Sequence, residues 1–122
     1  MKTLYLESVG GASGDMILGA LCALGLDFTN FKEPLEKGLP ELTIKREEVK
    51  RHGLTMWRLW GEVGKDVHAR HLSEIKELID GLDISEKAKT AAKEAFHRLG
   101  EVEAKAHGCS MENIHFHELG AT

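Results

Sequence analysis

The chain has 122 residues, of which 42% are hydrophobic and 30% are charged. That balance is typical of a folded domain and excludes a disordered tail, a collagen-like repeat and a disulfide-built miniprotein. Sixteen Lys and Arg residues against twenty Asp and Glu residues give a formal charge of −4, which argues against a nucleic-acid-binding surface. The two cysteines, Cys22 and Cys109, form no CxxC pattern, so we expect a reducing, cytoplasmic environment.

No stretch of the sequence predicts a targeting signal or a membrane span. The longest apolar run, residues 16–26, has about ten residues, whereas a helix needs roughly twenty to cross a bilayer. The first residues alternate and reach an acid at Glu7, instead of forming the continuous apolar core of a signal peptide. We therefore expect a cytoplasmic protein that binds neither membranes nor nucleic acids.

The N-terminal quarter predicts a strand, a glycine loop and a buried helix. Residues 3–9 alternate between apolar and polar positions, which is typical of a strand. The following helix, from about residue 15 to residue 24, is apolar nearly all round, so we expect it to be buried. Ser13 or Asp15 is placed to cap its start, and Gly25 is placed to end it.

The middle of the chain predicts a short helix at residues 31–37 and then a β-hairpin. The hairpin strands span residues 42–49 and 54–63, and Gly53 supplies the positive φ that a tight connection requires. Both faces of the second strand carry apolar side chains, so we expect the hairpin to be covered on both sides.

The C-terminal half predicts two helices. The first begins at Leu72 and ends at Gly81; the second begins with a capping box formed by Asp83 and Glu86. The second helix runs to His107 and carries an apolar seam at Ile84, Ala88, Ala92, Ala95, Leu99, Val102 and Ala106.

The element order predicts an α+β fold. We expect a small, mostly antiparallel sheet, made of the N-terminal strand and the hairpin, packed with about four helices. The whole of residues 1–122 is expected to form one domain or part of one.

The glycine loop is the first candidate site, formed by Gly11, Ala12, Ser13, Gly14 and Asp15. A strand that enters such a loop and leaves as a helix presents backbone N–H groups that suit a phosphate. Asp15 is acidic where a phosphate would lie, which fits better if a metal ion bridges the two. The alternative is a tight turn in which the glycines only permit the geometry.

The histidines form the second candidate site. His115 and His117 flank Phe116 and would share one face of a strand, about 6.5 Å apart. Glu118 follows directly, and His71 opens the first C-terminal helix. Imidazole suits nickel, zinc or copper, so we predict a metal site at these four residues, to which Glu118 contributes only if the strand ends before it. The alternative is that the histidines are structural partners of buried carbonyls.

These motifs together resemble the LarC family of nickel insertion proteins. The resemblance covers the whole chain in order: residues 4–7 (LYLE), 11–16 (GASGDM), 18–21 (LGAL), His71-Leu72 before a helix, and 115–121 (HFHELGA). The two longer motifs in combination are far more specific than either alone.

The family resemblance implies a lyase-type cyclometallase. Such a protein inserts nickel into a pyridinium bis-thiocarboxylic acid mononucleotide to give the nickel-pincer cofactor of lactate racemase, and it consumes CTP. In this interpretation the histidines serve nickel and the glycine loop serves the mononucleotide precursor.

Family members are several-fold longer than this chain and place the CTP site, with its divalent cation, in a C-terminal domain. We therefore expect an N-terminal part that works with the remainder, in the same chain or a separate one, and that forms homo-oligomers. By itself it is expected to bind metal weakly and not to hydrolyse CTP. The alternative is a non-catalytic module for assembly or phosphate binding.

Overall fold

A computed structural model describes residues 1, 3–7, 11–64 and 70–116 of the chain. The elements in chain order are α1 (Gly14–Ala23), α2 (Thr29–Gly38), β1 (Leu42–Arg51), β2 (Leu54–Val63), β3 (Arg70–His71), α3 (Leu72–Gly81), α4 (Glu86–His107), a 3-10 turn (Met111–Asn113) and β4 (His115–Phe116). Within these described ranges, two two-stranded sheets form, β1 with β2 and β3 with β4. The α+β prediction is confirmed, with four helices, an antiparallel hairpin and one long helix of 22 residues.

The predicted N-terminal strand does not form in the part of it that the structure describes. Residues 3–7 have no regular secondary structure, and Leu4, Tyr5 and Leu6 are exposed. A strand requires a neighbouring strand to satisfy its backbone N–H and C=O groups, and no described strand pairs with this segment. The alternating pattern therefore predicted a strand, but the described residues contain no neighbouring strand with which it could pair.

The chain divides into two compact units. The first comprises Met1–Phe28 and Lys45–Trp60, and the second comprises Thr29–Ile44 and Gly61–Thr122. The β1–β2 hairpin contributes its turn end to the first unit and its base to the second.

In the first unit, α1 lies against β2 at a single glycine. A Cβ atom on Gly19 would lie 2.5 Å from the backbone oxygen of Trp57, so only glycine permits this close approach. The helix ends as predicted at Gly25, which has a φ of +101°. The N–H of Gly25 bonds to the carbonyl of Cys22, and that of Leu26 to the carbonyl of Leu21, which is a Schellman motif.

The prediction that α1 is buried is wrong for the described residues. Only Gly19 and Cys22 of this helix are buried, whereas Met16 is 59% exposed and the adjoining Leu24 is 73% exposed. One hairpin can cover only one side of a helix, so the other apolar positions lie in water. No helix in the described part of the chain is both long and apolar enough to cross a bilayer.

The hairpin itself forms where it was predicted. His52 and Gly53 have φ values of +51° and +80°, the pair of positive angles that a two-residue type I′ turn requires. The prediction that the hairpin is covered on both faces is wrong. Leu59 is buried on one face of β2, whereas Leu54 and Met56 on the other face are exposed. A sheet of two strands offers one face to its own unit and leaves the second face open.

The core of the second unit lies between α3, α4 and the C-terminal segment. Its buried members are Leu72, Ile75, Ile79, Ala104, Ile114 and Phe116, and Ala92, Phe96 and Met111 pack against them. The buried face of α4 therefore runs through residues 92, 96, 100 and 104. The predicted seam is displaced from it by a residue or two, and Leu99 and Val102 are 38% and 66% exposed.

The seam is displaced because Gly100 lies on the buried face of α4. A pattern of apolar side chains overlooks a glycine. The site of its missing Cβ lies 3.5 to 3.6 Å from the side chains of Leu72, Met111 and Phe116. The cap of α4 also differs from the prediction. The helix begins at Glu86, so Ser85 occupies the N-cap position and accepts a hydrogen bond from the N–H of Ala88 at 3.2 Å.

We predict that Gly19→Ala destabilises the chain by about 1 to 3 kcal/mol, because a backbone carbonyl cannot move aside for the new methyl group. The matched control is Gly81→Ala in α3, where a Cβ meets no atom within 4 Å. Chemical denaturation of both variants measures the difference. Equal midpoints for the two variants would contradict the close approach of α1 to Trp57.

Candidate functional site

Two of the four predicted metal ligands lie opposite each other in the second unit. Strand β3 pairs antiparallel with β4, and the register places Arg70 opposite Phe116 and His71 opposite His115. Directly opposed residues in antiparallel strands have Cβ atoms about 4.5 to 5.5 Å apart. The backbone therefore brings together two histidines that are 44 positions apart in the sequence (115 − 71).

The position of β4 is determined by the hydrophobic core. Ile114 and Phe116, on either side of His115, are 5% and 6% exposed. The ring of Phe116 meets that of Phe96 edge to face, with centroids 6.1 Å apart and an interplanar angle of 79°. Sliding β4 by one residue would expose both buried side chains, so the core fixes the register.

The position of β3 is determined by polar contacts. The carboxylate of Glu74, in the first turn of α3, accepts a hydrogen bond from the backbone N–H of His71 at 2.7 Å. This is the returning half of a capping box, which the sequence analysis placed on the next helix instead. Arg70 forms an ion pair with Glu41, and this contact holds the pKa of the Glu41 carboxyl below its ordinary value.

The remaining predicted ligands, His117 and Glu118, lie outside the described residues. Within the described ranges, no cluster of three or more His, Cys, Asp and Glu side chains could hold a metal ion. Two imidazoles suit Ni²⁺, Zn²⁺ or Cu²⁺ but fall short of the four ligands of a closed structural site.

A groove of about 360 Å³ lies beside His71 in the same unit. Most of its lining belongs to no sequence motif and includes Ser73, Lys76, His97, Met111 and Glu112. The groove depends on how α3 and α4 pack, and no local pattern in either helix signals that packing.

The glycine loop lies in the first unit, and its polar groups bond to one another. The hydroxyl of Ser13 donates to Asp15, and the N–H of Met16 donates to the same carboxylate oxygen at 2.9 Å. Ser13 makes no cap bond to the helix, so of the two predicted capping residues it is Asp15 that accepts an N–H group at the helix start. The Ser13 hydroxyl, assisted by the Met16 N–H, holds the pKa of Asp15 below its ordinary value.

The glycine loop carries the negative charge of Asp15, so by itself it is unsuited to bind an anion. Gly11 has a φ of +102°, which a side chain rarely adopts, and a Cβ on Gly14 would meet nothing within 4 Å. Among the described residues, nothing fills the space beside Gly14, but the Asp15 carboxylate lies in the first turn of α1. A phosphate there would need a bridging cation, as the sequence analysis expected.

We predict that Arg70→Gln lowers the free energy of unfolding at pH 7 by up to about 1 kcal/mol. Glu41 has a lower pKa when folded than when unfolded, so its contribution is present at neutral pH and is lost as the pH falls through the folded-state pKa. Thermal unfolding at pH 7 and at pH 3 measures this change.

The matched control is Arg98→Gln, which breaks an exposed ion pair with Glu94 on α4. Its side chains are 73% and 57% exposed, against 29% and 28% for Arg70 and Glu41, so we expect a smaller loss. Equal losses in the two variants, or a loss from Arg70→Gln that persists at pH 3, would contradict the role given to the Glu41 pair.

Known proteins that are similar to this chain belong to the same family that its sequence motifs resemble. The family described as "Nickel insertion protein" matches residues 4–122. A provisionally named nickel insertion protein of Rhodopirellula baltica is 41% identical over 98% of this chain and 31% of its own length. No solved structure matches the chain.

Two further relatives carry a more specific name, pyridinium-3,5-bisthiocarboxylic acid mononucleotide nickel insertion protein. The relative from Desulfitobacterium hafniense is 38% identical over 99% of this chain and 30% of its own length. The relative from Staphylococcus epidermidis is 36% identical over 98% of this chain and 31% of its own length. The chain thus spans just under a third of the length of these relatives, and it belongs to the nickel insertion protein family.

Proposed function

We propose that the chain is the N-terminal part of a protein that inserts nickel into pyridinium-3,5-bisthiocarboxylic acid mononucleotide, giving the nickel-pincer cofactor of lactate racemase. Membership of the family and the names of two relatives support the reaction. The structural observation that carries the proposal is the pairing of His71 with His115. Nickel is the substrate here, so its ligands must bind it and then release it.

The proposed nickel ligands are His71, His115, His117 and Glu118. The first two are opposed in the β3–β4 pair, and the last two follow β4 directly in the sequence. Borderline metal ions such as Ni²⁺ bind well to imidazole nitrogen, and one carboxylate in the set weakens retention relative to a closed thiolate site. This donor set agrees with a site that passes the ion on to the sulfur atoms of the precursor.

The complete reaction belongs to the full-length protein in this proposal. The family resemblance implies a lyase-type cyclometallation that consumes CTP, and we assign the CTP site with its divalent cation to residues beyond these 122. The chain by itself is expected to bind nickel weakly and to leave CTP intact. We place the protein in the cytoplasm, in homo-oligomers and in contact with the remainder of the nickel insertion protein.

The glycine loop, Gly11 to Asp15, is a separate hypothesis for contact with the precursor. Its ionised Asp15 carboxylate favours a positively charged group, such as the pyridinium ring or a metal ion bridging to the phosphate.

A second function, as an assembly module, is favoured by the uncovered apolar side chains of the first unit. Leu4, Tyr5, Leu24 and Leu54 are each more than half exposed. Several exposed apolar side chains in one small unit are typical of a surface that another protein covers. In this alternative the histidines maintain the fold and nickel is bound elsewhere in the full-length protein.

We predict that replacing both His71 and His115 by Ala weakens Ni²⁺ binding by at least about tenfold, because two nitrogen ligands are lost. Isothermal titration of the chain with NiCl₂ measures the affinity. The matched control is His107→Ala on α4, whose side chain is 71% exposed and pairs only with Glu103 among the described residues. It should bind nickel as the wild type does.

A loss of folding in the double variant would mimic a loss of ligands, so a second variant separates the two. His71→Asn removes the imidazole but keeps a residue that is favoured at a helix N-cap. It should retain the helical circular dichroism of the wild type and still lose nickel affinity. Unchanged nickel uptake in a folded His71→Asn chain would refute the site and favour the assembly module.

A further inference from the structure

Residues 3–7 carry a row of apolar side chains that the described part of the fold leaves in water. Leu4, Tyr5 and Leu6 are 55%, 80% and 63% exposed, and the segment has no regular secondary structure. In an extended chain Leu4 and Leu6 point to the same side, because successive side chains of a strand alternate. A period of two is the pattern of a strand that buries one face in a sheet. The segment therefore has the sequence of a strand, but no described strand lies beside it.

The helix that follows the segment has a similar excess of uncovered apolar surface. Met16 and Ile17 of α1 are 59% and 37% exposed, and Leu24, directly after the helix, is 73% exposed. Only Gly19 and Cys22 of this helix are buried among the described residues. A helix and a sheet each bury an apolar face by packing against another such element. The segment and α1 belong to the same compact unit, and both lack a sheet to pack against.

The strands of the first unit do not provide that sheet. They are the turn end of the β1–β2 hairpin, and residues 3–7 pair with neither strand. A second copy of the chain would offer the same hairpin at a lower effective concentration than the segment's own chain does. Two copies of the segment paired with each other would form only two short strands, which are marginally stable in water. A partner that brings a different sheet is therefore more favourable than a second copy.

The length of the relatives indicates where such a sheet could come from. The relatives from Rhodopirellula baltica and Desulfitobacterium hafniense match 98% and 99% of this chain with 31% and 30% of their own length. More than two thirds of each relative therefore has no counterpart in these 122 residues. Two parts of one polypeptide meet at effective concentrations in the millimolar range, which favours their contact over contact with a separate protein.

We propose that residues 3–7 form a strand in a β-sheet that belongs to the remainder of the full-length nickel insertion protein, with Leu4 and Leu6 facing its core. The backbone N–H and C=O groups of the segment then pair with a neighbouring strand instead of with water. Helix α1 packs on the same sheet through Met16 and Ile17, so both elements lose apolar surface to water. The inference rests on the proposed function only in treating the chain as part of a longer protein, and it uses none of the nickel ligands.

The test compares backbone hydrogen–deuterium exchange in the full-length protein and in the 122-residue chain. We expect the amides of residues 3–7 to exchange about a hundredfold more slowly in the full-length protein, because pairing in a sheet protects them. Leu6→Asp places a charge in the proposed core, so in the full-length protein it should accelerate the exchange of residues 3–7 by at least about tenfold.

The matched control is Leu54→Asp, at a leucine of the same unit that is 67% exposed, against 63% for Leu6. It should leave the exchange of residues 3–7 in the full-length protein unchanged, because Leu54 lies outside the proposed strand. In the 122-residue chain neither variant should change the helical circular dichroism, since both leucines are already in water. This measurement separates loss of the strand from loss of folding.

Three results would overturn the inference. Equal exchange rates of residues 3–7 in the full-length protein and in the 122-residue chain would exclude the pairing and leave a separate protein as the partner. Equal effects of Leu6→Asp and Leu54→Asp in the full-length protein would exclude the face given to Leu6. Protection of residues 3–7 that decreases when either protein is diluted would assign the segment to a second copy.

Nickel titration separates this inference from the proposed function. If residues 3–7 are protected in the full-length protein but a folded His71→Asn chain takes up nickel as the wild type does, the strand pairing stands and the nickel ligands are wrong. If His71→Asn loses nickel affinity but residues 3–7 exchange freely in the full-length protein, the nickel site stands and the strand pairing is wrong.

Discussion

The burial of Phe116 is the interaction on which the candidate site depends. Its ring lies against Phe96, and it faces Gly100 at a point where a Cβ would already be 3.6 Å away. Once Phe116 and Ile114 are in the core, the backbone of residues 115 and 116 lies beside Arg70 and His71. Buried N–H and C=O groups require partners, and the short β3–β4 pair supplies them. The pairing of His71 with His115 follows from this packing.

Under the proposed function, placing the nickel ligands on two-residue strands has a physical advantage, because the metal must be passed on. Each strand is short, but each is held from outside the pair: β4 by the core, and β3 by Glu74 and the Glu41–Arg70 contact. The ligand positions are therefore fixed by packing and hydrogen bonds rather than by the metal itself. Under the proposed function, a site built in this way would exist before nickel arrives and remain after nickel leaves.

The sequence predicts local structure well wherever one residue type determines the geometry. The hairpin turn at Gly53, the end of α1 at Gly25 and the end of α4 at His107 are confirmed, because Gly53, Gly25 and the Gly108 that follows α4 adopt positive φ angles that glycine tolerates. Predictions that depended on a neighbouring strand or helix in the fold were wrong. The N-terminal strand has no described neighbour, and α1 was expected to be buried although one hairpin covers only one of its sides.

The candidate site was predictable in composition but not in geometry. The histidine motifs identified His71 and His115, and the family resemblance supplied nickel, but nothing in either segment indicates that the two residues pair. The packing of α3 on α4 depends on residues such as Gly100, which apolar patterns overlook.

The most direct test of the central claim is the nickel K-edge X-ray absorption spectrum of the chain loaded with one equivalent of Ni²⁺. Imidazole rings give a distinctive outer-shell scattering pattern that water and carboxylate ligands lack. The account predicts imidazole scattering from at least two histidines in the wild type, and a loss of one ring in His71→Asn. A spectrum without imidazole scattering, or one that His71→Asn leaves unchanged, would contradict the claim that the β3–β4 pair holds the metal.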